Sequence, residues 1–442
     1  MFGQIFGLAL LAGTTTLHAQ STDGLLDKLV EKGILTVKEA NGLREETDKN
    51  FTQAFATKTG LPDWVTSMRF NGDIRMRYDR ITSADTVSAD RDRYRYRLRF
   101  GYTATLKDSF EVGIGLTSSE QTGNASPADP ISNNQSLQDN GSKKAIGLDK
   151  AYAKWTPING PTWSAAMTIG KMENPIVFPS TILFDKDYTP EGFAAEVAYR
   201  MNDQHSFKGL GAVFVLDETS GSVRDPYMFA GQLRWDANWS PKWQSSIGGA
   251  VLGIVNRISL TTNAIPDIGA GNTRNLGTGI LSNAYTSVYA DASLTYVFDT
   301  FPAYKTAFPI TVSGDFLKNL AAKTSDTGYS AGITFGKAGK KGLWEINYRY
   351  THLEADAWFE EFVESDFGAF YKNGGAIGVA NGYRSGTNLR GHWIKGTYNF
   401  YDSLSFSVAY FITELINQPV LPGAPRYDSG AARLFVEAVW KY

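Results

Sequence analysis

Arginines alternate with apolar residues along one stretch of the sequence. The arginine ladder consists of Arg91, Arg93, Arg95, Arg97 and Arg99. From Arg93 onward, the residue after each arginine is apolar or aromatic, namely Tyr94, Tyr96, Leu98 and Phe100. Because successive side chains of a β-strand point to opposite faces, the pattern predicts a strand with one cationic and one apolar face. Arginine keeps its charge and presents a planar fork to carboxylates and phosphates, so the cationic face is suited to steering anions.

This strand fits a membrane barrel better than a soluble sheet. In a soluble sandwich the apolar face would meet a second sheet, and the five arginines on the other face would repel one another. In a membrane barrel the apolar face contacts lipid and the arginines line water. The alternation therefore favours a strand whose charged side faces an aqueous lumen.

The same alternation recurs from Val65 to Tyr442, which makes the barrel prediction much stronger than one strand could. One face of the first predicted strand carries Arg69, Asn71, Asp73, Arg75, Arg77 and Asp79, and the other carries Met68, Phe70, Ile74 and Met76. Farther on, Trp344, Ile346, Tyr348 and Tyr350 alternate with Glu345, Asn347, Arg349 and Thr351. Many such strands with a two-residue period are typical of a transmembrane β-barrel.

The connections between predicted strands alternate between short and long. The short ones are 108–109, 158–161, 202–206, 240–242, 299–304, 337–341 and 401–403, and the long polar ones include 118–144, 172–190, 257–283, 353–388 and 418–430. Outer-membrane barrels have short periplasmic turns and long extracellular loops. The count predicts an all-β, antiparallel, up-and-down transmembrane barrel of about sixteen strands, which is wide enough to leave an aqueous channel.

Composition narrows the class of protein. The chain has 442 residues, no cysteine and a formal net charge of −2. Mean hydropathy is −0.25, so a helical membrane protein is excluded. The near-neutral charge gives no bulk attraction to nucleic acid. Without cysteine there are no disulfides and no thiolate metal sites. The four histidines form no close cluster and pair with no evident nucleophile, so we predict no catalytic residues, no metal and no cofactor.

Two segments precede the predicted barrel (64–442). Residues 1–20 contain a short apolar core followed by Leu17-His18-Ala19, which predicts a signal peptide and export. Residues 21–63 carry apolar positions at helical spacing, and Thr36 and Glu39 have the spacing of a capping box. We expect a short α-helical hairpin in the periplasm there; a partly disordered linker is the alternative.

The chain resembles the Gram-negative outer-membrane family of putative porins, relatives in architecture of the general-diffusion and phosphate-selective porins. The resemblance covers essentially the whole chain. The matching motifs are the leader, the Leu25–Thr36 segment, the arginine ladder, Gly170-Lys171-Met172-Glu173-Asn174-Pro175, Phe184-Asp185-Lys186-Asp187 and Pro190-Glu191-Gly192. The last strand ends on Tyr442, which is similar to the terminal aromatic signal of outer-membrane barrels.

The resemblance implies a site as well as a fold. In porins the third extracellular loop commonly folds into the lumen, and by count that loop is 172–190, here called the acidic loop. Opposed charges across a narrow pore set a transverse field that orders polar solutes. The predicted pore constriction comprises Arg75, Arg77, Arg93, Arg95, Arg97, Arg99, Glu173, Asp185 and Asp187. Alternatively, the arginine ladder pairs with the acidic loop and mainly holds it in place.

The sequence therefore predicts a water-filled porin in the outer membrane, passing small hydrophilic solutes or ions with a preference for anions. Its expected partners are outer-membrane lipid and the solutes, with a homotrimer as the expected assembly and no nucleic acid. A structural or adhesive barrel with a closed lumen is the first alternative. A barrel-borne hydrolase is the second. We expect Trp155, Trp235, Trp239, Trp344, Trp440 and Tyr442 to lie in interfacial aromatic belts.

Overall fold

The computed structural model describes residues 26, 28–32, 34–44, 61–85, 90–120, 129–261, 269–275, 277–372, 374, 386–421 and 423–442. The predicted signal peptide, 1–20, lies outside the described residues and stays a prediction. The chain divides into two compact units, Met1–Ser67 and Met68–Tyr442.

The first unit contains two short helical segments, at 28–31 and 37–44. The backbone N–H of Thr36 donates to Glu39 Oε2 at 2.8 Å, and the N–H of Glu39 donates to Thr36 Oγ1 at 3.2 Å. This reciprocal pair confirms the predicted capping box, which satisfies two N–H groups that the helix itself leaves unbonded. Across the described residues, every helix is too short or too polar to cross a membrane.

Among the described residues that follow, seventeen β-strands account for nearly all the regular structure. They are β1 Val65–Ser83, β2 Arg91–Leu106, β3 Phe110–Ser118, β4 Gln135–Ser136, β5 Ile146–Asn159, β6 Trp163–Lys171, β7 Glu191–Arg200, β8 His205–Val215, β9 Tyr227–Asn238, β10 Trp243–Val255, β11 Tyr285–Phe298, β12 Phe308–Asn319, β13 Thr327–Gly336, β14 Trp344–Leu353, β15 Leu389–Tyr401, β16 Leu404–Leu415 and β17 Ala431–Lys441. Single 3₁₀ turns occupy Lys107–Ser109 and Arg257–Ser259.

Sixteen of these strands close into a ring. Strand β1 pairs with β2 on one side and with β17 on the other, in a register that sets Asp73 opposite Lys441 and Ser83 opposite Ala431. The two-residue β4 is an extra strand that pairs with β2. Closure leaves no open sheet edge, as lipid requires because it cannot hydrogen-bond to unpaired backbone groups. The predicted antiparallel barrel of about sixteen strands is confirmed.

The two faces of the barrel have opposite chemistry. On β9, Leu233 is 74% exposed on the outer surface, whereas the neighbouring Gln232 is 4% exposed and points inward. On β2, Tyr94 is 65% exposed, while Arg95 and Arg97 are buried on the lumen side. An apolar exterior around a charged interior is the arrangement expected of a barrel in lipid, and the alternation of the arginine ladder predicted it.

The connections also alternate as predicted. Short turns link β2 to β3 and β15 to β16, and long loops lie at the opposite end. Two of these are 172–190 and the loop between β14 and β15, whose described residues 354–372, 374 and 386–388 are called the 354–388 loop. Both of these loops contribute to one apolar cluster with inward side chains of the barrel wall, and Phe184, Trp358 and Phe359 are fully buried in it. Part of the lumen is therefore filled by a hydrophobic core rather than by water.

Aromatic residues collect on the outer surface beside the short turns. Trp155 stacks on Phe110 with ring centroids 5.8 Å apart, and Trp235 and Trp239 meet edge to face at 5.6 Å. Trp440 and Tyr442 are exposed at the end of β17, and Trp344 packs on Phe308 at 5.3 Å. These positions at the ends of strands are typical of an interfacial belt, where an amphipathic ring is stable between lipid and water.

The seam of the barrel has a tight contact that predicts a stability effect. The backbone of Gly72 exchanges two hydrogen bonds with Tyr442, at 3.1 and 3.2 Å, and a Cβ at Gly72 would lie 2.6 Å from the Tyr442 ring. We expect Gly72→Ala to lower the free energy of unfolding by about 1–3 kcal/mol, because overpacking forces the strands apart. Urea unfolding monitored by gel mobility in lipid vesicles measures this change.

Gly231→Ala is the matched control, because nothing lies within 4 Å of a Cβ placed at Gly231 on the outer face of β9. Equal stability of the two variants would contradict the tight seam.

Candidate functional site: a charged cavity in the barrel

Three arginines of the ladder pair with aspartates on the neighbouring strand, β1. Arg97 donates to Asp73 Oδ1 at 2.7 Å, and Arg99 donates to Asp73 Oδ2 at 2.8 Å. Higher on the same strand, Asp79 accepts from Arg93 at 2.5 Å. The pairing of β1 with β2 places these aspartates beside the arginines, since all of them point into the lumen. Asp73 and Asp79 were visible in the polar face of the first predicted strand, but their role as counter-ions was missed.

The acidic loop meets the arginine ladder through Asp187. Its Oδ1 lies 3.3 Å from Arg97 Nη1 and 3.4 Å from Arg99 Nη1. The other two predicted acids of this loop are placed differently. Asp185 is buried and accepts hydrogen bonds from two backbone N–H groups, whereas Glu173 is exposed on the cavity wall. The acidic loop therefore touches the ladder at one carboxylate.

Arg75 and Arg77 share the carboxylate of Glu437 on β17. Arg77 Nε lies 2.7 Å from Glu437 Oε1, and Arg75 Nη1 lies 3.5 Å from the same oxygen. Arg75 also donates to Asn134 Oδ1 at 2.6 Å. Lys395 on β15 approaches the second oxygen of Glu437 at 3.3 Å. One carboxylate thus faces three cationic side chains.

A loop that the sequence analysis did not place in the lumen completes the network. Asp366, in the 354–388 loop, lies 2.8 Å from Arg77 and 3.2 Å from Arg433. Burial alone would raise the pKa of Asp366, but Arg77 and Arg433 outweigh it and hold that pKa well below its ordinary range. The only local signal for this role is an acidic residue in a long loop, which does not distinguish an inward loop from an outward one.

The 354–388 loop and the acidic loop are docked on each other. The N–H of Asp185 donates to the carbonyl of Phe362 at 2.6 Å, and the Phe184 ring packs against Phe362 at 5.5 Å between centroids. A third loop joins them, because Arg274 forms a fully buried ion pair with Glu360 at 2.8 Å. Removing either partner of such a pair leaves a buried charge uncompensated, which costs about 3–5 kcal/mol.

Two carboxyl groups at this loop junction have a pKa above the ordinary range. Burial raises the pKa of Asp185 well above its usual value, and the nearby Glu364 and Asp187 raise it further. Burial also raises the pKa of Glu364, with Asp366 adding to the effect. The junction therefore favours protonated carboxyl groups, unlike Asp366 beside its arginines.

These side chains surround a cavity of about 450 Å³. Seven of the nine predicted constriction residues line it, namely Arg75, Arg77, Arg97, Arg99, Glu173, Asp185 and Asp187. Arg93 and Arg95 belong to the adjoining network but do not line the cavity. Residues that the prediction omitted also line it, including Lys395, Asp366, Glu437 and four aromatic side chains.

Cations outnumber carboxylates in the ion-paired network around the cavity. Among the described residues, eight cationic side chains share six carboxylates. Arg95 has its nearest carboxylate, Glu120, only at 3.9 Å. Within the same described part of the chain, no group of three or more His, Asp or Glu side chains could hold a metal ion. The arrangement can therefore set an electrostatic field but offers no metal centre among these residues.

Comparison with known proteins supports the barrel and its class. Residues 80–256 match the family model described as "Putative porin". The high-pH structure of OprB from Pseudomonas putida is similar at a TM-score of 0.51 and 11% identity, over 87% of this chain and 96% of that chain. OmpT of Vibrio cholerae, in its trimer form, has a TM-score of 0.46 at 11% identity, over 85% and 99%. A triple mutant of Rhodopseudomonas blastica porin has a TM-score of 0.42 at 10% identity, over 85% and 100%.

No curated protein matches the chain. At these identities the likeness to solved structures shows the fold alone. The family match and the sixteen-stranded barrel together support an outer-membrane channel for passive diffusion.

The raised pKa of Asp185 predicts pH-dependent docking of the two loops. A carboxyl group whose pKa is raised by docking stabilises the docked state at low pH, and this contribution is lost as the pH rises through the raised value. We expect fluctuations of the open-channel current to grow as the pH rises through the raised pKa of Asp185, above the ordinary range of a carboxyl group. Asp185→Asn should weaken this pH dependence in single-channel recordings and leave the part that Glu364 contributes.

Asp299→Asn, which alters an exposed turn carboxylate paired with Lys242, serves as the control and should retain the wild-type pH dependence. Unaltered pH dependence in Asp185→Asn would refute the role of this carboxyl group.

Proposed function

We propose that this chain, whose residues 80–256 match the family described as "Putative porin", is an outer-membrane porin for passive diffusion of small hydrophilic solutes. The observation that carries the proposal is the cavity of about 450 Å³ lined by charged side chains inside a closed barrel. A polar lumen within an apolar exterior gives hydrophilic solutes a path through lipid. The family match and the fold suggest a non-enzymatic channel.

We further propose that the channel prefers anions. The excess of cationic side chains over carboxylates in the network supports this preference, because the unneutralised charge acts across a narrow, partly dehydrated space. Arg99 and Lys395 are the most exposed cations among those ion pairs, at 34% and 35% of their side-chain surface. They are therefore the cations best placed to meet a passing solute.

The arginine ladder has two roles in this proposal. Arg97 and Arg99 together hold Asp187 of the acidic loop, so part of the ladder fixes the loop that narrows the lumen. Arg75 lies farther from its carboxylate partner, with Nη1 3.5 Å from Glu437 Oε1. Its charge is therefore less neutralised and acts more strongly on the cavity. Loop anchoring and ion selection are then properties of different arginines in the same network.

A barrel with a closed lumen is the second candidate. The observation that favours it is the apolar cluster that fills part of the lumen, in which Phe184, Trp358 and Phe359 are fully buried. Such a barrel would act through its extracellular loops as a structural or adhesive protein. Conductance separates the two candidates directly.

We expect the purified, folded protein to give discrete conductance steps in planar lipid bilayers containing KCl. If the protein is the proposed homotrimer, the steps should also open or close in groups of three equal levels. Protein that is folded by gel mobility yet gives no steps would favour the closed barrel. Steps that occur singly would contradict the trimer and leave the channel intact.

Charge removal at the cavity should change ion selectivity. In Arg75→Gln, which leaves the loop-anchoring Arg97 and Arg99 in place, we expect the ratio of chloride to potassium permeability to fall by about threefold or more. One charge about 7 Å away changes the energy of a monovalent ion by about 0.6 kcal/mol even at the dielectric constant of water. The reversal potential in a KCl gradient measures the ratio.

Arg390→Gln removes a charge of the same type from an exposed pair with Glu414 and should leave the reversal potential unchanged. If Arg75→Gln also keeps the wild-type potential, Arg75 does not set selectivity.

A further inference from the structure

One wall of the charged cavity is aromatic. The aromatic wall consists of Phe367, Trp393, Phe411 and Phe435. Trp393, Phe411 and Phe435 lie on the adjacent strands β15, β16 and β17 and point to the lumen. Their ring centroids are 6.2 Å apart for Trp393 and Phe411, and 5.2 Å apart for Phe411 and Phe435. Phe367 of the 354–388 loop reaches the same row, 6.3 Å from Phe411.

This wall is distinct from the aromatic belt at the strand ends. Side chains of the belt face lipid, whereas Phe411 and Phe435 are buried inside the barrel and Trp393 is half-buried at the cavity. Phe367, Phe411 and Phe435 belong to a second apolar cluster, and the partly buried Trp393 packs against it at the cavity. Aromatic rings at a cavity wall are, however, suited to stacking on a planar apolar solute.

Cationic side chains adjoin the aromatic wall directly. The Arg77 guanidinium lies 4.0 Å from the centre of the Phe435 ring. Lys395 follows Trp393 by two residues on β15, so both side chains point to the same face. The ammonium group of Lys395 is held by Glu437 at 3.3 Å, but 35% of its side chain is still exposed. A bound solute can therefore meet a cation and an aromatic ring at the same time.

The charge balance beside the wall favours a negative head group. Glu437 is shared by Arg75, Arg77 and Lys395, and Arg77 divides its contacts between Glu437 and Asp366. An added carboxylate would relieve the excess positive charge there, with Lys395 as its most accessible partner. The volume of about 450 Å³ lies within the range of small-molecule sites.

We propose that this cavity is a binding site for small aromatic carboxylates, with the carboxylate at Lys395 and the ring along Trp393 and Phe411. The inference rests on the proposed channel function and specifies the solutes that the channel favours. Small inorganic anions would use the charge alone and sugars the aromatic wall alone. A solute with both groups uses both walls and binds more tightly.

Block of the KCl current by added solutes tests the site in planar bilayers. Benzoate carries the ring and the charge, acetate the charge alone, and benzyl alcohol the ring alone. We expect benzoate to interrupt the current at concentrations about tenfold lower than either of the others, since stacking adds to the charge interaction. Equal potency of benzoate and acetate would overturn the proposal.

Two variants test the aromatic contact and the cationic contact of the site separately. Trp393→Leu should raise the blocking concentration of benzoate about tenfold and leave that of acetate unchanged. Lys395→Gln should weaken both acids and leave benzyl alcohol unchanged. Trp243→Leu is the matched control, because the same change on the outer face of β10 should alter none of the three. Gel mobility verifies that each variant is folded.

The outcomes separate this inference from the proposed function. Conductance in KCl without preference for benzoate would reject the aromatic carboxylate site and keep the porin. A folded protein without conductance would reject the porin, and isothermal titration of benzoate into that protein would then decide whether the site exists. A titration without heat of binding in wild type would overturn the inference in that case.

Discussion

The backbone of β1 forms hydrogen bonds with β2 on one side and β17 on the other, and every other feature of the barrel follows from that closure. In lipid an open edge would leave unpaired N–H and C=O groups, so the sheet must close on itself. Closure also fixes which side chains become neighbours in the lumen. It sets Asp73 and Asp79 beside the arginines of β2 and brings Glu437 of β17 beside Arg75 and Arg77.

The lumen contains two environments that depend on each other. The β1, β2 and β17 side carries the ion-paired network, and much of the opposite side is filled by the apolar cluster with Phe184 and Trp358. The acidic loop connects them, since Phe184 is buried in the cluster while Asp187 contacts Arg97. Anchoring by the cluster keeps the loop beside the arginines, and the arginines compensate the carboxylate that the loop brings. Neither contact alone would hold the loop across the lumen.

Like charges packed on neighbouring strands are stable here because carboxylates from five different segments are shared among them. Asp366 illustrates the sharing, since it lies between Arg77 and Arg433 and reaches both from a loop. Such a network is held by many shared ion pairs rather than by one isolated pair. The aromatic wall lines the same cavity as Lys395, so apolar and charged side chains meet at one surface.

The sequence by itself determined the barrel, its strand number, its lipid and lumen faces and the alternation of short and long connections. These follow from a two-residue period that any strand in lipid must obey, so each strand carries its own signal. The sequence also pointed to Arg97 and to Asp187, which are in contact. Only the tertiary structure decided that Asp73 and Glu437 neutralise the arginines, that the 354–388 loop turns inward, and that Trp393 joins Phe411 and Phe435 in one wall. Those contacts join residues up to hundreds of positions apart, and they depend on strand register and loop docking, for which no local pattern exists.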